Sequence, residues 1–464
     1  MRCGSAGRGK DGSMIADLAA VEGCQIQRGF SEQGRDRQNQ EEGCLMDKLI
    51  IEGGATLRGE VEVNGAKNAS LPILISAAAG VEPVCLQNVP LSLNDVRVTM
   101  DALEHIGCRL DIDHNAHEVI VTPAENEATE LPESITGRIR YSLLFLGLLA
   151  GKKGHAKITF PGGCNLGERK FDLHLEGLRQ LGAVVEQGEC TIEVTVPGRF
   201  VGADIQFYLP TTTGTETVML AACFAEGRTR IFNANTRPEV ADMAACLNAM
   251  GAKISVRNRV VEIEGGRPLA GGKHRIMTGW DEAMTYILAA GMTGGEICIK
   301  RFSLEHVRAD AAHLREAGLD LFEWGGNVYV SAKNKTLRPF HLFTGPYPGV
   351  NSDMQPLFAA FASQCHGEIT VTDQRFTERF THVKELQKLG MQIDTYGNSA
   401  VIKGPSRLHG AKVCALDLRC GAALILAGLA AEGTTIIDNI YQINRGYEHV
   451  AERFRDLGAS IEQV

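Results

Sequence analysis

The chain has 464 residues, 44% of them hydrophobic and 22% charged, with a formal net charge of −9. That apolar share supports buried cores and excludes disorder for most of the chain, and the acidic balance excludes a global nucleic-acid footprint. No stretch approaches the roughly 18 apolar residues that cross a bilayer, so the sequence predicts a soluble protein of two or three domains.

Residues 1–45 stand apart, rich in Gly, Arg, Gln and acidic residues and without an apolar period. Gly7-Arg8-Gly9-Lys10-Asp11-Gly12 has GxGxxG spacing, and Gly4 to Lys10 resembles a P-loop with Asp11 where Ser or Thr belongs. Both motifs need a preceding strand to aim backbone N–H groups at phosphate, and three residues leave no room for one. The apolar run 14–21 is short and broken by Asp17, so it does not read as a signal peptide. Residues 1–45 are therefore expected to be a disordered N-terminal extension, with Met46 opening the folded protein.

From Met46 onward one pattern recurs about every 70 residues, as in a repeat architecture. An apolar Ala/Leu helix is followed by a β-branched strand, as in LLFLGLLAGKKGHAKITF and LILAGLAAEGTTIIDNI. A second, amphipathic helix then stops at a glycine before another strand, at Gly107, Gly182, Gly251, Gly318, Gly390 and Gly458. The first helix of each unit is apolar nearly all round and should be buried; the second should face solvent. Six mixed α/β units are predicted, and the period alone leaves open one closed array or two domains of three. The 13 cysteines are scattered without a CxxC pair, which argues against zinc ribbons and fits a reducing, cytosolic compartment.

The loops carry the chemistry. Lys67-Asn68 precedes the first apolar helix, where a cation and an amide suit a phosphate and a sugar hydroxyl; the alternative is an exposed lysine beside an Asn N-cap. Asp111, Asp113, His114 and His117 form a loose acidic/His group without zinc spacing, so no metal site is predicted. Arg140 lies in IRYSLL. Cys164 sits in the glycine-rich loop PGGCNLGERK beside Arg169 and Lys170, cations that lower a thiol's pKa and make it reactive. Asp353 in NSDMQ reads as a base or a helix cap. Arg379, Arg419 and Arg445 fall in corresponding turns, and convergent guanidinium groups suit a small polyanion. The run KELQKLG reads as a solvated helix face.

Together GAKNAS, FPGGCNLGERKFDLH, SDMQ, ERFTHVKEL, DLR and INRGYE resemble the UDP-N-acetylglucosamine 1-carboxyvinyltransferase family, the enolpyruvyl transferases of peptidoglycan synthesis. The resemblance runs from Met46 to the C-terminus. It implies the EPSP synthase-like fold of two inside-out α/β domains, one from 46–66 and 277–464, the other from 67–276, with the active site in the cleft between them. It further implies phosphoenolpyruvate and UDP-N-acetylglucosamine as small-molecule partners, no cofactor or metal, no nucleic-acid or membrane partner, and a cytoplasmic setting. Cys164 would be the acid and Asp353 the base. Lys67, Arg140, Arg169, Arg419 and Arg445 would hold phosphate and carboxylate. Asn68, Arg140, Arg169, Asp172, Leu173, Thr211, Thr213, Asp353 and Phe376 would contact the sugar nucleotide, and Cys164 would be the point of attack for fosfomycin.

The chain departs from the family on the acceptor side. Thr211-Thr212-Thr213-Gly214 stands where Ser-Val-Gly is usual, Leu209 where a basic residue is frequent, Lys170 for a proline, Gly279-Trp280 for an Asp-Arg pair and Leu144 for a tryptophan. These changes leave a second acceptor reading open, a different uridine nucleotide or sugar.

Overall fold

The computed structural model describes residues 48–125, 128–162, 170–376 and 379–464. The predicted 1–45 extension with both of its glycine motifs, and Cys164 and Arg169, lie outside the described residues.

Among the described residues the strands form six four-stranded sheets, all on one plan: a parallel edge pair followed by two antiparallel pairings. The alternation seen in Glu118–Thr122, with Val119 and Val121 fully buried, sets one face of each sheet on helices. Three strands come from distant points of the chain. Leu49–Glu52 pairs between Thr434–Asp438 and Ser460–Gln463 and so completes the last sheet. Arg58–Glu62 edges the sheet of Glu296–Lys300, and Gly272–Arg275 returns to edge the first sheet beside Val84–Gln87. The repeats are thereby closed on themselves, which leaves fewer sheet edges open to foreign strands.

The apolar helices are the inner layer: Lys67–Ala77, Leu144–Lys153, Thr212–Cys223, Trp280–Met292, Gln355–Ala362 and Leu418–Ala430, nearly every residue of which is buried. The amphipathic helices Asn94–His105, Asp172–Gln180, Pro238–Ala249, Arg308–Ala317, His382–Lys388 and Val450–Asp456 lie outside them. All six glycines that stop this outer series have φ between +89° and +106°, a conformation that admits glycine at little cost.

Buried apolar side chains gather into two cores. The continuous core draws on residues 66–276, and the split core on 49–63 and 280–461. The chain passes between them twice, and the two crossings are zipped side by side: the N–H of Ala66 donates to Met277 O at 2.8 Å, and that of Gly279 to Asn64 O at 2.9 Å. Met277 packs against both cores.

Two local expectations are corrected. The KELQKLG helix is not wholly solvated. Glu385 is buried, held by Lys388 at 2.7 Å, and accepts the Cys414 N–H at 2.9 Å, because this short helix lies over the edge strand of the next sheet. Asp353 does not cap its helix; Asn351 does, accepting the Asp353 N–H at 3.1 Å. The Asp111–His117 group lies on a hairpin, where Asp113 accepts the N–H groups of Asn115 and Ala116 at 2.9 and 3.0 Å. Among the described residues no group of three or more His, Cys, Asp or Glu is placed to hold a metal. All nine cysteines there are free thiols, and no helix is long and apolar enough to cross a membrane.

Inner helices approach closely at Gly147, where a Cβ would fall 2.8 Å from Thr217 O of the neighbouring helix. Helix propensity alone favours Gly→Ala by about 1 kcal/mol, whereas overpacking costs about 1–3 kcal/mol. Gly147→Ala should therefore lower the melting temperature; a rise would show that the helices part without penalty.

Candidate active site

A cleft of about 700 Å³ is lined from both cores, and all six inner helices begin on it. Lys67 opens the first. The turn Arg140–Leu143 leads into the second, and Thr211 caps the third by accepting the Gly214 N–H at 3.3 Å. Trp280 opens the fourth, the turn Ser352–Met354 leads into the fifth, and Asp417 caps the sixth through the N–H groups of Arg419 and Cys420 at 2.8 and 3.0 Å. Each helix start carries a partial positive charge. Six of them together with lysine and arginine side chains suit the cleft to polyanions.

At one end Asp95, in the first turn of an outer helix, receives Lys67 Nζ at 3.2 Å and Arg445 Nε at 3.1 Å. Burial pushes the Asp95 carboxyl up, but the two cations outweigh it and hold it below the usual range. Lys67 is thus a half-buried ion-pair member, not the exposed lysine of the alternative reading, and Ala66 rather than Asn68 occupies the N-cap. Pro72 supplies no N–H to the carbonyl of Asn68 four residues back, and the Tyr141 hydroxyl donates to that oxygen at 3.1 Å. A break in helix bonding thereby anchors the turn that carries Arg140.

Nearby, Asp353 accepts Arg379 Nη1 at 2.8 Å and Arg419 Nη2 at 3.1 Å, and Arg419 also pairs with buried Asp281. Burial works to raise the Asp353 pKa, yet Arg379, Arg419 and Arg237 hold it well below the usual carboxylate range. Arg419 Nη1 is buried without a protein partner, a donor available to a ligand oxygen.

The other end is mixed in character. Tyr208 donates to Asp172 at 2.6 Å, His174 meets Thr213 at 2.8 Å, and Asn235 donates to Thr212 at 2.9 Å. Arg237 stacks on Trp280 with its guanidinium 4.8 Å from the ring centroid, and both donate to Glu239, at 3.0 and 2.7 Å. From the split core Phe376 and Arg375 complete this wall.

The EPSP synthase (3-phosphoshikimate 1-carboxyvinyltransferase) family profile matches residues 51–454. The chain belongs to this enolpyruvyl transferase family. It is 39% identical over 420 residues to the UDP-N-acetylglucosamine 1-carboxyvinyltransferase of Granulibacter bethesdensis, covering 90% of this chain and 100% of that protein. It is 41% identical to the enzyme of that name from Hydrogenovibrio crunogenus, over 90% and 99% of the two chains. Among solved structures, the enolpyruvyl transferase NikO from Streptomyces tendae shares the fold at TM-score 0.81 and 23% identity, over 90% and 99% of the two chains. EPSP synthase from Acinetobacter baumannii does so at 0.71 and 19%, over 90% and 100%. The inside-out arrangement of six units is thus this family's fold.

Of the residues singled out in the sequence, Lys67, Asn68, Arg140, Asp172, Leu173, Thr211, Thr213, Asp353, Phe376, Arg379, Arg419 and Arg445 all line this one cleft. Cys164 and Arg169 lie outside the described residues. Sequence reasoning missed Asp95 and Asp281, the buried carboxylates that fix Lys67, Arg445 and Arg419, and it missed Arg237, Glu239 and Arg375. The acids sit in otherwise ordinary first turns of helices, and only their partners from across the fold reveal them.

Asp310 on the cleft wall supplies a test of its electrostatics. Burial pushes its carboxyl up to about 7, and Oδ1 has no protein partner. A carboxyl whose folded pKa is raised binds more protons folded than unfolded, so it subtracts stability as pH climbs from about 4 through 7. Asp310→Asn should therefore melt higher than the parent at pH 8, with the difference shrinking at pH 5; a pH-independent difference would refute the assignment.

Proposed function

We propose that this chain transfers the enolpyruvyl group of phosphoenolpyruvate to the 3-hydroxyl of UDP-N-acetylglucosamine, releasing phosphate. The observation that carries the reading is the lining of one cleft by Lys67, Arg140, Arg419 and Arg445 together with the carboxylate of Asp353. Relatives 39–41% identical bear the name of that activity.

In the proposed reaction the sugar 3-hydroxyl oxygen bonds to C2 of phosphoenolpyruvate while C3 takes a proton, giving a tetrahedral intermediate. The C2–O bond to phosphate then breaks, C3 gives up a proton, and the double bond returns. Lys67, Arg140, Arg169 and Arg445 neutralise phosphate and carboxylate, a task that side-chain cations perform without a cofactor. Arg419 offers Nη1 to the developing anion. Asn68 orients the sugar, and Asp172, Leu173, Thr211, Thr213 and Phe376 seat the nucleotide. Cys164, flanked in sequence by Arg169, is the acid at C3. Asp353 receives the hydroxyl proton. Its two arginines make it a weak base as it stands, and an anionic substrate that draws Arg419 toward itself raises the proton affinity of Asp353 at the moment it is needed.

The two cores act as domains, 46–66 with 277–464 and 67–276, that close over the substrates. On this reading the chain serves cytoplasmic peptidoglycan synthesis, with Cys164 as the site of fosfomycin attack. Leu209 and the Arg237–Trp280 pair alter the acceptor wall and favour, as second reading, another uridine nucleotide or sugar.

Phosphate release from phosphoenolpyruvate with UDP-N-acetylglucosamine as sole acceptor, followed by mass spectrometry, tests the reading: the enolpyruvyl ether is expected. No release with phosphoenolpyruvate still bound would move the assignment to the second acceptor class. Cys164→Ala should abolish turnover with the melting temperature retained, and full activity would remove its role. Arg379→Gln takes a cation from Asp353 and so raises its pKa. The acid limb of kcat/KM should move to higher pH, and an unmoved limb would show that Asp353 is not the titrating base.

A further inference from the structure

Glu239 is fully buried and bonds through one carboxylate oxygen alone. Trp280 Nε1 at 2.7 Å and Arg237 Nη2 at 3.0 Å both donate to Oε1, while Oε2 has no partner among the described residues. Three further polar atoms on the cleft wall, all from the split core, are left in the same way: Oδ1 of Asp310, which is 5% exposed, Nδ1 of His306 and Nδ2 of Asn351. They lie near one another. The Arg237 guanidinium acts electrostatically on both Asp310 and Asp353, and Glu239 acts on His306. Asn351 is tied to Asp353 through its other amide atom, Oδ1, which accepts the Asp353 N–H at 3.1 Å. Buried polar groups are nearly all hydrogen-bonded in folded proteins, so unpaired atoms gathered on one wall call for a partner from outside the chain. Burial works against charge at Asp310, pushed up to about 7, and at His306, pushed down, while Arg237 is paired with Glu239. The wall therefore carries little net charge and mixes donors with acceptors, unlike the cations around Asp95. Such a set suits hydroxyl groups, which donate and accept at once, and suits phosphate or carboxylate poorly.

We infer that this wall is a sugar subsite, in which Glu239, Asp310, His306 and Asn351 take the free hydroxyls of the uncharged sugar whose 3-hydroxyl faces Asp353. This rests on the sugar-nucleotide acceptor reading above and adds to it the residues that select the sugar. The tie between Asn351 and Asp353 places the subsite beside the group that receives the hydroxyl proton, so a ring seated there presents that hydroxyl to Asp353 while its other substituents meet the wall. Glu239 comes from the continuous core and the other three residues from the split core, so the sugar is held from both sides of the cleft.

Calorimetric titration of UDP and of UDP-N-acetylglucosamine into the parent protein, Asp310→Leu, Asp310→Asn and His306→Phe tests the inference, with melting temperatures confirming that each variant is folded. The parent should bind the sugar nucleotide more tightly than UDP. Asp310→Leu and His306→Phe should each weaken the sugar nucleotide about five- to tenfold, the loss of a hydrogen bond to a buried partner, and leave UDP within about twofold. Asp310→Asn, which keeps a donor and an acceptor, should retain most of the affinity. Equal weakening of both ligands, or a parent that binds UDP as tightly as the sugar nucleotide, would overturn the subsite. So would an unchanged preference for the sugar nucleotide in Asp310→Leu and His306→Phe, the result expected if water alone satisfies these atoms. A parent that binds the sugar through Asp310 but makes no product from UDP-N-acetylglucosamine would sink the acceptor reading and leave the subsite intact.

Discussion

Six helices buried on every side oblige this chain to put its sheets outside and its helix ends together. An apolar helix enclosed by others has no solvated face, so only its two ends can reach the surface of the core. Here the N-terminal ends of all six reach one cleft, with Lys67, Arg140, Thr211, Trp280, Ser352 and Asp417 at or just before the first turns. The positive ends of the helices then add to the side-chain cations in a partly dry space, where charge interactions are stronger than in water. The positive character of the cleft is a consequence of the packing as much as of any one arginine.

Such a concentration of positive charge has to be balanced before substrate arrives, because an unpaired buried charge is strongly destabilising. Asp95, Asp281 and Asp353 serve that purpose. Lys67 and Arg445 share one carboxylate, Asp95, whereas Arg379 and Arg419 share two, Asp353 and Asp281. The first pairing gathers two cations on one acid, and the second holds Asp353 ionised, a state in which it can accept a proton once its arginines are redirected.

Much of this was legible in the sequence. The sixfold period, the glycine stops and the placing of Lys67, Arg140, Asp353 and Arg419 at the starts of inner helices all follow from local rules that act within one repeat, whereas Arg445 lies ahead of an outer helix, not in a turn equivalent to theirs. What was hidden depends on contacts between repeats. Asp95 looks like any acid in the first turn of a helix until Arg445, 350 residues away, is seen to bond it. Glu385 reads as solvent-facing until the strand Lys412–Cys414 is found beneath it. The closure of the repeats by Leu49–Glu52 and Gly272–Arg275 has no signature in a period, because a strand that changes partners keeps its own alternation.

Both ends of the cleft are tied across the two cores. At the Lys67 end the turn carrying Arg445 is bound on both sides: Arg445 reaches Asp95, while Glu448, three residues on, accepts the Ser92 N–H at 2.8 Å and pairs with Asn64 beside the zipped crossings. At the opposite end Trp280 of the split core donates to Glu239 of the continuous core at 2.7 Å and stacks with Arg237, and a long bond runs from Arg375 to Pro210. Links on both walls hold the charged groups of the cleft in place ahead of any ligand, which is what preorganisation of such a site requires.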